Sequence, residues 1–361
     1  MSSVDSARLR PPPPPTRREW VRCLSLFALT LLSVFFSYGW WWGGGDPLAD
    51  REAAWQSAQF ALGLMGILGA HEAGHYVVAR RHGMDQTLPF FLPFPLAFGT
   101  LGAIIRLRTP PRTRSALLEM GAAGPLAGFA VALVVLVLGL PDTTAHAMPE
   151  LTLPWPPPPP EEPGWFVAVL MTVLAPLGEL LGEAEPGFPL TIMANPLIMD
   201  GVGYAVLGAP PGRYDELSAL GLAGWAGCFL TAMNLLPIGQ LDGGHVLRAV
   251  APRLADKVSV VGLVVVGVAG AFLWEGWTVW AILLWAMGAW RGLPAAGLSP
   301  PTPRAQVIGA LALATFIACF MPSPIELETV PFDQLQFRTP EGAHVSPGEV
   351  ETWWLAREEQ G

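Results

Sequence analysis

The sequence predicts an all-α polytopic membrane protein, a bundle of about eight or nine transmembrane helices, and three observations carry that prediction. Hydrophobic residues make up 52% of the 361 and charged residues 14%, more apolar side chain than a soluble core of that size conceals. Apolar runs long enough to cross a bilayer recur along the chain. Arginines gather at alternate ends of those runs, as the excess of positive charge on the cytosolic side of membranes requires. The partner implied is the lipid bilayer. The net charge of −9 comes mainly from acidic residues after position 140 and in the C-terminal tail, and no nucleic acid is expected as a partner. Cys23, Cys228 and Cys319 lie in separate apolar runs without C-x-x-C spacing, and read as packing residues.

Taken in order, residues 1–19 form a polar arm whose Pro11 to Pro15 run favours extended geometry and cannot bury a core. It is expected to be disordered and cytosolic. Arg17, Arg18 and Arg22 flank the start of a first span, near 20–42, which closes on Trp40, Trp41 and Trp42 as helices do at a bilayer surface. No small-residue cleavage site follows, so 20–54 reads as an anchor helix and loop. Further spans are expected near 57–80, 115–140, 164–183, 187–208, 218–238, 258–276, 278–292 and 304–321, which makes 55–322 the membrane-embedded domain. With the N-terminus cytosolic, Arg80, Arg81, the Arg106 to Arg114 cluster, Arg248 to Lys257, Arg291 and Arg304 fall on that side. The loop 141–163 and the acidic tail 323–361 then face outward, neither long nor apolar enough for a second folded domain.

The chemistry enters at His71-Glu72-Ala73-Gly74-His75. Residues four apart on a helix share a face about 6 Å apart along the axis, so both imidazoles can reach one metal ion with Glu72 beside it. Zinc takes three protein ligands and keeps a position open for water, whose proton Glu72 is placed to accept. Ionisable side chains inside an apolar run are costly to insert and point to function. The bland alternative is a pair of helix histidines reaching for the interface beside Arg80 and Arg81.

Two histidines leave the metal one ligand short. The best candidate is Asp242, in Asn234-Leu235-Leu236-Pro237-Ile238-Gly239-Gln240-Leu241-Asp242-Gly243-Gly244-His245. Here Pro and Gly break an apolar helix, which at membrane depth is tolerated only where backbone is buried in protein or lines a wet cavity. The same carboxylate can instead cap the following helix. Asp242 and His245 are three apart, so spacing alone does not separate them as ligands. Asn195-Pro196 with Asp200-Gly201 imitates the motif at an Asn-to-Asp spacing of five instead of eight, and an Asx-type turn accounts for it.

Taken with Gly124-Pro125-Leu126-Ala127-Gly128, these motifs resemble the site-2 protease family, the zinc metalloproteases of regulated intramembrane proteolysis; the similarity covers about 55–322. The resemblance implies Zn2+ as cofactor, His71, His75 and Asp242 as its ligands, Glu72 as general base, and Asn234 holding the substrate or the developing oxyanion. Leu88 to Arg108, with Phe98-Gly99-Thr100-Leu101-Gly102-Ala103-Ile104-Ile105-Arg106, is similar to that family's membrane-embedded β-sheet, adding a short membrane-associated β element. Gly102, Ala103, Ile104 and Ile105 are then expected to pair with an unwound substrate strand. The activity implied is endopeptidase cleavage within or near transmembrane segments of membrane proteins already trimmed by another protease. The implied setting is a bacterial inner membrane. Members of the family often carry His-Pro before Ala223-Gly224-Trp225, where this chain has Ser218-Ala219. A cation transporter using the intramembrane His, Glu and Asp, and a zinc hydrolase of small or lipidated peptides, are the alternatives.

The other polar residues have plainer readings. His82, His146 and His344 are expected to be interfacial or solvated, and Glu119, Glu179 and Glu183 to reach water near span ends. Gly121-Ala122-Ala123-Gly124 with Gly128 is expected to let helices pack closely around the metal.

Overall fold

A computed structural model describes residues 13–42, 45–145, 152–154, 188–286, 288, 299–330, 336–339, 344–346, 348–350 and 352. The protein is mostly helical with a few short strands. Among the described residues its main helices are α1 (Arg17–Trp41), α2 (Arg51–Arg81), α3 (Arg114–Gly139), α4 (Leu197–Leu207), α5 (Ala219–Asn234), α6 (Asp242–Val250), α7 (Ala255–Phe272), α8 (Gly276–Ala286) and α9 (Pro303–Cys319). Among the described residues three helices are long and apolar enough to cross a membrane: Arg17–Trp41, Arg114–Asp142 and Ala255–Phe272. The helices α4, α5, α8 and α9 are apolar but shorter. The span expected at 164–183 lies outside the described residues. That expected at 187–208 is replaced by a strand, Phe188–Met193, followed by α4. A short apolar run with Pro189 fits a strand as well as a helix, and periodicity alone does not separate the two.

The chain divides into two compact units. The first holds all nine helices just named, and α3 runs through its middle, packing against α2, α5, α6 and α9. Local chemistry sets each boundary. Asp50 caps α2 by accepting from the amides of Glu52 and Ala53, while Arg80 and Arg81 occupy its last turn, where helix carbonyls favour cations. Thr113 caps α3 and Thr302 caps α9 in the same way. Ser218 opens α5. It caps α5 through the Gly221 amide and donates to the Gly139 carbonyl at 2.7 Å, tying α5 to the end of α3. Around α3, Leu117, Leu118 and Met120 are buried with Ala79, Met84, Ala249 and Ala305, and Ala122 with Leu235 and Ala312.

Between α2 and α3 lies a hairpin, β1 (Phe90–Pro93) antiparallel to β2 (Thr100–Ile104), with Phe91 opposite Ala103 and Phe90 opposite Ile104. It rests on α1, where Phe27 and Phe91 meet edge to face at 5.1 Å. The three tryptophans ending α1 divide their tasks. Trp40 and Trp41 are exposed, as an interfacial belt requires. Trp42 donates to the Ala97 carbonyl at 2.9 Å and stacks on Phe98, holding the hairpin turn.

The second unit draws on Ala145–Ala194, Gly212–Glu216 and Ile325–Gly361, including segments whose sequence suggests no folded domain. In it β3 (Thr152–Pro154), β6 (Gln336–Arg338) and β7 (His344–Val345) form one sheet. The pair β4 (Phe188–Met193) and β5 (Ile325–Val330) forms another. Arg213 donates to Glu326 and Glu328 of β5, each at 2.9 Å. His344 is exposed on β7, as expected, while His146 lies outside the described residues.

Candidate metal centre

Helix α2 presents His71 and His75 one turn apart, their ring centroids 4.8 Å from each other. The α5–α6 connection delivers the third group. Helix α5 ends at Asn234, and the chain turns through Leu235 to Leu241 before α6 begins at Asp242. The turn is pinned where the Gly239 amide donates to Ser259 Oγ on α7 at 3.0 Å. Gly243 and Gly244 then pack directly on the backbone carbonyls of Leu235, Ile238 and Gly239, where a Cβ has no room. The Asp-Gly-Gly sequence thus lets α6 start hard against its own connection, and this fixes where Asp242 stands.

The three side chains converge. His71 Nε2 and His75 Nε2 are 3.0 Å apart, and each lies 3.2 Å from Asp242 Oδ2. A tetrahedral zinc with bonds of about 2.0–2.1 Å has ligand atoms roughly 3.3 Å apart, so the triangle is of the right size for that ion. The second ring nitrogen of His75 supports the same conclusion. Its Nδ1 faces the Met120 carbonyl at 2.8 Å. A carbonyl only accepts, so Nδ1 carries the proton and Nε2 keeps its lone pair for the metal. Two neutral imidazoles and one carboxylate form a donor set that suits Zn2+. His71 and Glu72 are each 6% exposed, so the centre sits in the packed interior.

Helix α3 makes room for this arrangement with glycines. A Cβ on Gly124 would enter the His75 ring, and one on Gly128 would lie 3.1 Å from His71 Cβ. At Gly121 it would lie 2.9 Å from His245 Cβ and 3.0 Å from the Asp242 carbonyl oxygen. Across the interface, a Cβ on Gly74 would strike the Ala123 backbone. Pro125 adds a local loosening, because it has no N–H for the Gly121 carbonyl. The small residues therefore shape the seat of the ligands as well as bringing helices together.

Of the other residues singled out, Asn234 is half-buried at the end of α5. Gly102, Ala103 and Ile104 lie in β2, and Ile105 directly follows it. Asp200 is in the first turn of α4 and outside the His71, His75 and Asp242 group. His245 also stands outside it. His82 and Glu119, read from the sequence as interfacial and near a span end, prove to be partners. His82 Nε2 meets Glu119 Oε2 at 3.0 Å, joining the end of α2 to α3. Sequence reasoning also missed Met120, whose contribution is a backbone carbonyl.

A helical membrane-type fold with a His-x-x-x-His helix and a distant Asp meeting at one point defines a zincin-like metal centre set among apolar helices. The sequence comparisons agree. The profile of Peptidase family M50 matches residues 59–273, and the chain belongs to that family, the site-2 protease family. It is 30% identical over 215 residues to the probable zinc metalloprotease EGY2, chloroplastic, of Oryza sativa subsp. indica, covering 59% of this chain and 33% of that protein. The EGY2 protein of Arabidopsis thaliana is 25% identical over 262 residues, covering 72% and 40%. The EGY1 protein of Arabidopsis thaliana is 27% identical over 188 residues, covering 52% and 28%. The chain thus aligns with two fifths or less of the length of these relatives. No solved structure matches it.

Proposed function

We propose that the chain is a zinc-dependent intramembrane endopeptidase that hydrolyses peptide bonds within or near transmembrane segments of membrane-protein substrates. The convergence of His71, His75 and Asp242 beside buried Glu72 is the observation that carries this reading. Zinc held by the three donors would supply Lewis acidity toward water and the scissile carbonyl. Glu72 takes the proton of the attacking water and returns it to the departing amine, so that water adds across the C–N bond and a carboxylate and an amine leave. Asn234 offers an amide N–H to the oxygen on which negative charge develops.

Substrate presentation follows from backbone chemistry. A helix hides its amides, so a transmembrane segment has to unwind before it is cut, and in lipid its freed groups need partners. The edge of β2 from Gly102 to Ile105 supplies them by strand addition. Among the described residues β2 pairs only with β1, and Leu101 and Ile104 are exposed upon it. Proteins already trimmed by another protease suit such a site, since a short stub leaves less to unwind. The arginine pattern supports a cytosolic N-terminus. Nine residues separate His71 from Arg80, which sets the centre about 13 Å below that basic end of α2.

The test is hydrolysis of a panel of single-pass transmembrane substrates by the purified chain in detergent, with and without a chelator. Cleavage that stops on chelation and returns with zinc is expected. Cleavage indifferent to the chelator would refute the proposal.

A further inference from the structure

His245 is absent from the metal group, yet its surroundings give it a role. It lies one turn beyond Asp242 on α6, and its Cβ rests against Gly121 of α3, the glycine that also touches the Asp242 carbonyl oxygen. One turn further along α3, the space at Gly124 is filled by the His75 ring. His245 thus shares one glycine-lined face with a metal ligand on either side of it. Its Nδ1 is completely enclosed and has no hydrogen-bond partner, while the residue as a whole keeps some exposure. The open part of the ring is therefore the side away from Nδ1.

That asymmetry selects a tautomer. An enclosed nitrogen without a partner is costly in either form, and a neutral ring's one N–H is best placed on the nitrogen that has room for an acceptor. The proton accordingly resides on Nε2, the nitrogen on the accessible side. Among the described residues no side chain or carbonyl takes up that donor. We infer that His245 is a catalytic residue whose Nε2–H donates to the carbonyl oxygen of the scissile peptide and to the oxyanion it becomes. This rests on the endopeptidase reading and extends it: Asn234 and His245 approach the reacting carbonyl from the two ends of the α5–α6 connection.

The inference is tested with the purified full chain by metal analysis, cleavage kinetics and ligand binding. The binding arm uses the Glu72→Gln background and two apolar peptides, one with a phosphinate in place of the scissile amide and one with a terminal thiol. Only the phosphinate presents an oxyanion. His245→Ala is expected to keep one zinc per chain, to lower kcat about a hundredfold with little change in KM, and to weaken phosphinate binding by a similar factor while thiol binding holds. His245→Gln, which retains an N–H donor, should recover part of both losses. Equal weakening of the two ligands, zinc lost from His245→Ala, or unchanged kcat would each overturn the inference. A parent chain that neither holds zinc nor cleaves would fail earlier, and would remove the endopeptidase reading with it.

Discussion

His75 Nδ1–H donates to the Met120 carbonyl at 2.8 Å, and through that bond α3 decides which nitrogen of an α2 histidine faces the metal. The carbonyl is held by helix geometry, and the ring is held by the glycine beneath it. Metal affinity in this centre therefore depends on residues that never touch the ion.

Gly124→Ala should displace the His75 ring, because the new Cβ would occupy its place. Zinc affinity is expected to fall about 10–100-fold, the usual cost of disturbing a ligand's support. Competition with a chromogenic chelator measures it. Gly128→Ala, whose Cβ would lie 3.1 Å from His71 Cβ, should fall less; unaltered affinity in both variants would show that α3 does not position the ligands.

Glu72→Gln should abolish peptide hydrolysis and leave zinc near one per chain, since Glu72 is outside the ligand triangle. Metal analysis beside a cleavage assay decides this. Full activity in the variant would exclude Glu72 as the base.

Asp242→Ala should lose zinc and activity together, because its Oδ2 is 3.2 Å from both imidazole nitrogens. Asp200→Ala and His245→Ala should retain the metal. Zinc kept by Asp242→Ala but lost by His245→Ala would reverse the assignment of the third ligand.

Pro at Ala103 or Ile105 should depress cleavage of a transmembrane substrate and spare zinc binding. Proline removes a backbone donor from a strand that has an edge to offer. Cleavage of a short, already extended peptide should suffer less than that of the helical substrate. Normal turnover of both substrates by both variants would remove β2 from substrate handling.

Much of the centre was legible in the sequence because its parts are side chains at fixed spacings. His71 and His75 follow from helical period, while the broken helix makes Asp242 a candidate and the family resemblance sets it ahead of His245. Helix positions were legible for a related reason: α1, α2, α3, α5, α7 and α9 each fall within a few residues of an apolar run bounded by caps or arginines. What stayed hidden depends on partners far along the chain. The Met120 carbonyl has no signature, since every residue carries one. The His82 and Glu119 pair, 37 residues apart, needs the α2–α3 packing to bring it together. Phe188–Met193 declares itself a strand only through its partner Ile325–Val330, and an apolar run of six residues fits several structures equally well.

Asp242 stands 167 residues beyond His75, and that separation bears on the life of the protein before it is whole. A chain still emerging from the ribosome carries both histidines and Glu72 long before the carboxylate is made. Until α5 and α6 have been synthesised and packed against α3, two imidazoles are a weak hold on zinc, since a preformed site does not exist in the unfinished chain. The donor set is therefore completed only when the chain has grown past α6, and a product truncated before Asp242 holds two of its three members.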